Sequence, residues 1–193
     1  MTYLLANLLE ISASRHSRLC PRQVLGIRMG LAGLAALGLD APVTQKVALV
    51  IVETDGCFFD GIEISTGASP GHRTLRIVDL GKVAATFTNL GSGRSIRLAP
   101  APHVRDRARI YAPDEQQPYT AQLKGYQVMP EAELFTFQEV FLQPTLAAII
   151  SRLDARAICD RCGEEIINER EVRCVDAVLC QTCYQAGYYT RCI

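Results

Sequence analysis

Leucines at positions 4, 5, 8 and 9 recur at helical spacing, so residues 3–11 read as a short amphipathic helix. Polar and basic residues break that pattern over 14–19. Pro21 then suits the first turn of a second helix, where its missing N–H costs nothing. This helix is expected to run to about Leu39, with Gly26, Gly30 and Gly33 along one side. Each glycine weakens a helix by about 1 kcal/mol relative to alanine. The expected compensation is the close approach of another backbone, which places the helix in the core.

Further along, the β-branched run at 47–52 reads as a buried strand, followed by a loop at Thr54, Asp55 and Gly56 and a short helix over 58–64. The stretch TGASPG is a turn by composition. Residues 75–80 and 83–88 read as two strands around Gly81. The Arg- and Pro-rich stretch 94–117 reads as irregular, with one short strand near Ile96. Alternation over 134–142 predicts a further strand. Strands and helices mix without a regular βαβ rhythm, so the expected class is α+β. The expected division is a core domain over 1–143, a helical or extended linker over 144–157 and a small domain over 158–193.

The small domain is defined by its cysteines. Cys159-x-x-Cys162 is followed after seventeen residues by Cys180-x-x-Cys183. Four thiolates converging on one ion is the ligand set of a structural zinc site, with no open position for water. Gly163 suits the tight turn after the first pair, residues 169–179 have the length of a hairpin, and Cys183 can open a final short helix through Tyr188. That order is a treble-clef finger. A disulfide framework is the rival reading of eight cysteines, but such frameworks serve small secreted domains without a core. Cys174 and Cys192 are left over, as a buried thiol and a free terminal thiol.

Charge narrows the partners. Net charge is zero over the 193 residues, and residues 151–193 hold six Arg against seven Asp or Glu. With a four-thiolate zinc the finger is acidic, so nucleic acid is not expected as a partner. The most apolar stretch, 29–39, lies between Arg28 and Asp40 and is too short to span a bilayer. Without a basic leader before the first apolar run, the expected location is the cytoplasm.

A second set of reactive groups lies earlier, in RHSRLCPRQVLGIRMG and ETDGCFFDGIEISTGASPGHRTLRIVDLGKVAATF. Cys20 sits just before a helix start, where the helix dipole favours thiolate. Cys57 follows a buried strand, and Asp60 comes three residues later.

These stretches resemble the FmdE family, named for the E component of formylmethanofuran dehydrogenase. Its first pattern is like H-G-H-x-C-P-G, matched here by His16, Cys20 and Pro21. Its second pairs a cysteine and an aspartate with T-G-C-T-x-G-K-G-N-L and D-x-G-K segments. Cys57, Asp60, Thr66, Gly67, Gly71, Leu75, Asp79, Gly81 and Lys82 match it. The resemblance covers 8–89 and the C-terminus, leaving 90–133 unaccounted for. Arg18, Arg22, Ala68 and His72 depart from the pattern. The resemblance implies a metal-binding accessory protein linked to one-carbon or molybdenum/tungsten enzyme metabolism, partnered by a subunit of such an enzyme. Dehydrogenation by this chain alone is not expected.

In the core, His16, Cys20, Cys57 and His72 are then candidate ligands of a second metal of unknown identity, suited to zinc, nickel or iron. Cys20, Cys57, Asp60 and Lys82 are the candidate catalytic groups of a metal-dependent reaction. Against this stand plain readings: Cys20 and Cys57 as buried thiols, His16 as a surface or capping residue, and His72 and Lys82 as turn residues. A regulatory finger that docks on RNA polymerase is a further alternative. The arginines at 94, 97, 105, 107 and 109 read as a solvated face or an anion-attracting rim. A homodimer is also expected as an option, because the glycine-lined helix can pack across a two-fold axis.

Overall fold

The computed structural model describes residues 2–16, 18–150, 155–185 and 187–189. It divides into two compact units, Met1–Phe141 and Leu142–Ile193.

In the first unit a five-stranded sheet is formed by β1 (Ala48–Val52), β2 (Leu75–Ile77), β3 (Ala85–Asn89), β4 (Ser95–Pro100) and β5 (Phe135–Glu139). The spatial order is β2-β1-β3-β4-β5, parallel between β1 and β2 and antiparallel elsewhere. Val50, Phe87 and Ile96 lie in register across three strands, and all three belong to the core. The longer helices are α1 (Thr2–Arg15), α2 (Pro21–Ala36), α3 (Cys57–Thr66) and α5 (Pro118–Val128), and α2 contacts each of the other three. The short helices α4 (Val104–Arg107) and α6 (Glu131–Leu134) complete the unit. This is the expected α+β class, with α2 inside the core as its glycines imply.

The glycines act as anticipated. A Cβ on Gly26 would lie 2.3 Å from the Phe58 carbonyl oxygen, and one on Gly61 would lie 2.5 Å from that of Gln23. One turn on, a Cβ at Gly30 would meet Ser65 Oγ at 2.0 Å, and at Gly33 it would meet the Phe87 ring at 2.5 Å. Because 26 faces 61 and 30 faces 65, α2 and α3 run side by side in the same direction. Their N-termini therefore meet at one end.

Several expectations shift. The second helix stops at Ala36, where Gly38 takes a positive φ. The strand expected at 83–88 begins at Ala85, because the Leu80 and Lys82 N–H groups both donate to the Glu53 carbonyl and hold 80–84 in a turn. Residues 90–133, unassigned or irregular by sequence pattern, contain α4, α5 and α6. Pro118 at the first position of α5 was a usable start signal.

Arg28, which bounds the apolar stretch in sequence, is buried. It donates to the carbonyls of Tyr126, Gln127 and Met129 and so caps the C-terminus of α5. Burial lowers its pKa, while the nearby Glu131 acts the other way. Four of the five arginines expected to form one face or rim divide between two fates. Arg94, Arg97 and Arg107 pair with Glu139, Glu53 and Glu133, whereas Arg105 is in no ion pair among the described residues.

The second unit contains α7 (Leu146–Ile149), β6 (Arg156–Ile158) paired with β7 (Glu165–Ile167), β8 (Val172–Arg173) paired with β9 (Val178–Leu179), and α8 (Gln181–Tyr184). β6 begins within the span expected as linker. The final helix stops at Tyr184, not Tyr188. No helix among the described residues is long and apolar enough to cross a membrane.

The glycine contact gives a test. Gly26→Ala and Gly61→Ala each add about 1 kcal/mol of helix propensity. A β-carbon driven into facing backbone costs about 1–3 kcal/mol or more. Both variants are expected to unfold at lower urea concentration than wild type; equal or greater stability would show that the helices can separate freely.

Candidate metal and thiol centres

Among the described residues, one group of three or more potential ligands converges: Cys159, Cys162, Cys180 and Cys183, with ligand atoms all within 4.8 Å of one another. Local structure explains the convergence. Cys159 and Cys162 stand at the tip of the β6–β7 hairpin, closed by the Cys159 N–H to Glu164 carbonyl and Gly163 N–H to Cys159 carbonyl bonds. Gly163 has φ +77°, which a residue with a β-carbon rarely adopts. Cys180 caps α8, and Cys183 lies in its only turn.

Two further contacts tie the halves together: Val178 N–H donates to Asp160 Oδ2, and Arg161 donates to the Cys183 carbonyl. The Cys180 N–H donates to Cys159 Sγ at 3.3 Å and, with help from the Cys162 and Arg161 N–H groups, lowers that thiol to about 6. Desolvation and the three neighbouring thiols push Cys183 up to about 12. Four sulfurs so close cannot all ionise without a cation, and the donor set therefore suits a metal ion. Cys174 is exposed in the β8–β9 turn and stands outside the group, against the expectation of a buried thiol. Cys192 lies outside the described residues.

The core residues gather as two adjoining pairs. Cys20 is the N-cap of α2 and Cys57 the first residue of α3, so the parallel helices bring both to one end. The two thiols are near enough for each to act on the other's ionisation. Desolvation raises the Cys57 pKa, reinforced by the neighbouring Cys20 thiol and by the charge of Asp60. Cys57 therefore keeps its proton further up the pH scale than an ordinary thiol. Beside them His16 Nε2 lies 2.5 Å from Asp60 Oδ2, and Arg15 donates to Glu63 one turn along α3 at 2.9 Å.

Gln23 positions the Cys20 end. It is fully buried, its Oε1 accepts from the Cys20 N–H at 2.7 Å, and its Nε2 donates to the Ser12 carbonyl and hydroxyl. Sequence reasoning did not single out Gln23 or Ser12, although a glutamine three residues after a helix cap is a recognisable capping signal.

The other candidates lie elsewhere. His72 is exposed beside Thr44, Gln45 and Gly67, past the C-terminal end of α3. Cys57 opens that ten-residue helix, whose length is about 15 Å, so His72 is not brought to the thiols. Lys82 is exposed, anchored through its backbone. Asp79 accepts from the Gly81 N–H, so its part of the D-x-G-K match forms a tight turn. Thr66 and Gly67 terminate α3, Gly67 in the left-handed conformation.

The model of the family described as "FmdE, Molybdenum formylmethanofuran dehydrogenase operon" matches residues 15–136. A probable S-adenosyl-L-methionine-binding protein from Archaeoglobus fulgidus is 32% identical over 97 residues, which are 49% of this chain but only 26% of that protein. Among solved structures, a tungsten formylmethanofuran dehydrogenase FmdE-like protein from Syntrophus aciditrophicus superposes with a TM-score of 0.60 at 16% identity, covering 96% of this chain and 95% of that one. At that identity the likeness concerns the fold.

The thiol pair makes a pH-dependent prediction. A raised pKa means that the Cys57 thiolate appears only above the ordinary thiol range. In metal-free protein, Cys20→Ala removes the neighbouring thiol that helps raise the Cys57 pKa, so the midpoint for Cys57 alkylation is expected to move to lower pH, as followed by mass spectrometry. An unchanged midpoint would show that Cys20 does not govern Cys57.

Proposed function

This chain belongs to the FmdE family, and from that premise we propose that it is a metal-binding accessory protein with a structural zinc in a C-terminal treble-clef finger and a thiol centre in its core. The observation that carries the proposal is the convergence of four cysteine sulfurs from two C-x-x-C segments. Their chemistry and spacing support zinc. Cys162 and Cys180 Sγ are 3.9 Å apart. The edge of a tetrahedron with 2.3 Å zinc–sulfur bonds is about 3.8 Å. The succession of a knuckle on a hairpin, a second hairpin and a cysteine-capped helix supports the treble clef.

With all four positions taken by protein, such a zinc stabilises the unit and leaves no place for a reacting water. The family description supports a link to a molybdenum or tungsten enzyme of one-carbon metabolism, with a subunit of that enzyme as partner. The cytoplasm is the proposed location.

A second reading makes the core centre catalytic. It is favoured by the meeting of Cys20, Cys57, His16 and Asp60 at the joined N-termini of α2 and α3. There the His16–Asp60 pair can hold or pass a proton beside the two thiols.

Elemental analysis separates the readings. Wild type is expected to hold one zinc per chain, retained in the Cys20→Ser, Cys57→Ser double variant and lost in Cys159→Ser, Cys183→Ser. A second metal, lost only from the core variant, would favour the catalytic reading. Wild type purified without zinc and unable to take it up would overturn the finger assignment.

A further inference from the structure

A cavity of about 370 Å³ opens beside Cys20. Much of its wall comes from the part of the chain that the sequence resemblance left unexplained. Leu25 of α2, Val83 and Val104 supply apolar surface. Polar groups meet at the same cavity from three helices: Arg22 from α2, Arg105 from α4, and Gln122 and Tyr126 from α5.

Three of these groups are unsatisfied by the protein. Tyr126 is 1% exposed, yet its hydroxyl makes no hydrogen bond among the described residues. A nearly buried phenol on a cavity wall, its hydroxyl without a protein partner among the described residues, is available to donate to an occupant. Burial raises its pKa, opposed by the charge of Arg105 and assisted by that of Asp106, so at neutral pH it remains a donor. Arg22 and Arg105 are exposed and in no ion pair among the described residues, unlike Arg15, Arg94, Arg97 and Arg107. Asp106 is the opposing charge in this surround, leaving two cations against one anion.

We propose that this cavity binds a small organic carboxylate, its apolar body between Leu25, Val83 and Val104 and its charge on Arg105, Arg22 and the Tyr126 hydroxyl. The volume is that of about a dozen waters at about 30 Å³ each, which suits a ligand of about ten non-hydrogen atoms. The apolar walls distinguish such a ligand from inorganic phosphate, which has no body to place there. Cys20 lines the same cavity. The proposal does not depend on a metal in the core, and zinc in the finger has no part in it.

The test uses the full chain in its metal-loaded form, with phenylacetate, its neutral isostere phenylacetamide and inorganic phosphate as probes in ligand-observed NMR titrations. Phenylacetate is expected to bind saturably. The amide and the Arg105→Gln variant are each expected to weaken binding about tenfold, the loss of one charge-assisted hydrogen bond. Tyr126→Phe, which keeps the buried ring, is expected to weaken it several-fold at unchanged Tm. Arg109→Gln, an exposed arginine that does not line the cavity, is the control expected to bind as wild type. Equal binding of acid and amide, wild-type affinity in both cavity variants, equal competition by phosphate, or no saturable binding at millimolar phenylacetate would each overturn the proposal.

Discussion

The backbone contact between α2 and α3 is the constraint on which the first unit depends. At Gly26 and Gly61 the two helices touch through main-chain atoms, and a β-carbon on either would fall inside van der Waals contact. Such closeness is possible only without side chains at the crossing. Its consequence is positional. Helices that run in the same direction and touch four to six residues from their starts must bring those starts together, and Cys20 and Cys57 occupy them. The thiol pair is thus a product of glycine packing as much as of the cysteines themselves. The sheet supplies the backing, with Phe87 of β3 set against Gly33.

Buried polar groups complete the positioning. A polar side chain taken from water costs free energy unless its hydrogen bonds are replaced, so a buried glutamine or arginine marks a junction that only one geometry satisfies. Gln23 joins the end of α1 to the start of α2, which holds the His16–Asp60 pair beside Cys20. Arg28 joins α2 to the end of α5 and so fixes the helix whose Tyr126 faces the cavity. A bidentate Arg97–Glu53 pair, at 2.5 and 2.7 Å, links β4 to the end of β1, just before the turn that leads to Cys57.

The second unit follows a different principle. Its strands are two or three residues long and few of its side chains are buried, so apolar burial contributes little. What organises it is the convergence of four sulfurs, supported by N–H groups directed at Cys159 and by the Asp160 and Arg161 contacts. Desolvation and the neighbouring thiols keep Cys183 protonated, and a cation among such crowded sulfurs would offset that cost.

The convergence of the four cysteines was legible from sequence, because two C-x-x-C pairs at that spacing suggest one donor set and local turns suffice to bring each pair together. The core helix was legible too: apolar periodicity, Pro21 at its start and three glycines on one side are local signals. What local signals do not contain is which distant residues share a site. His72 and Cys57 are fifteen positions apart in one stretch of sequence, yet a helix separates them. Arg28 looked like the border of an apolar stretch and is a buried cap for a helix about a hundred residues away. Residues 90–133 had too little apolar periodicity to declare themselves, and their helices take shape where α2 and the sheet edge present surface to cover. By itself, then, the sequence determined the four-cysteine donor set, the α+β class and the close-packed helix, all written in short-range spacing. The thiol pair beside His16 and Asp60, the buried caps and the cavity at Tyr126 were decided by tertiary structure alone, because each depends on contacts between segments that only packing brings together.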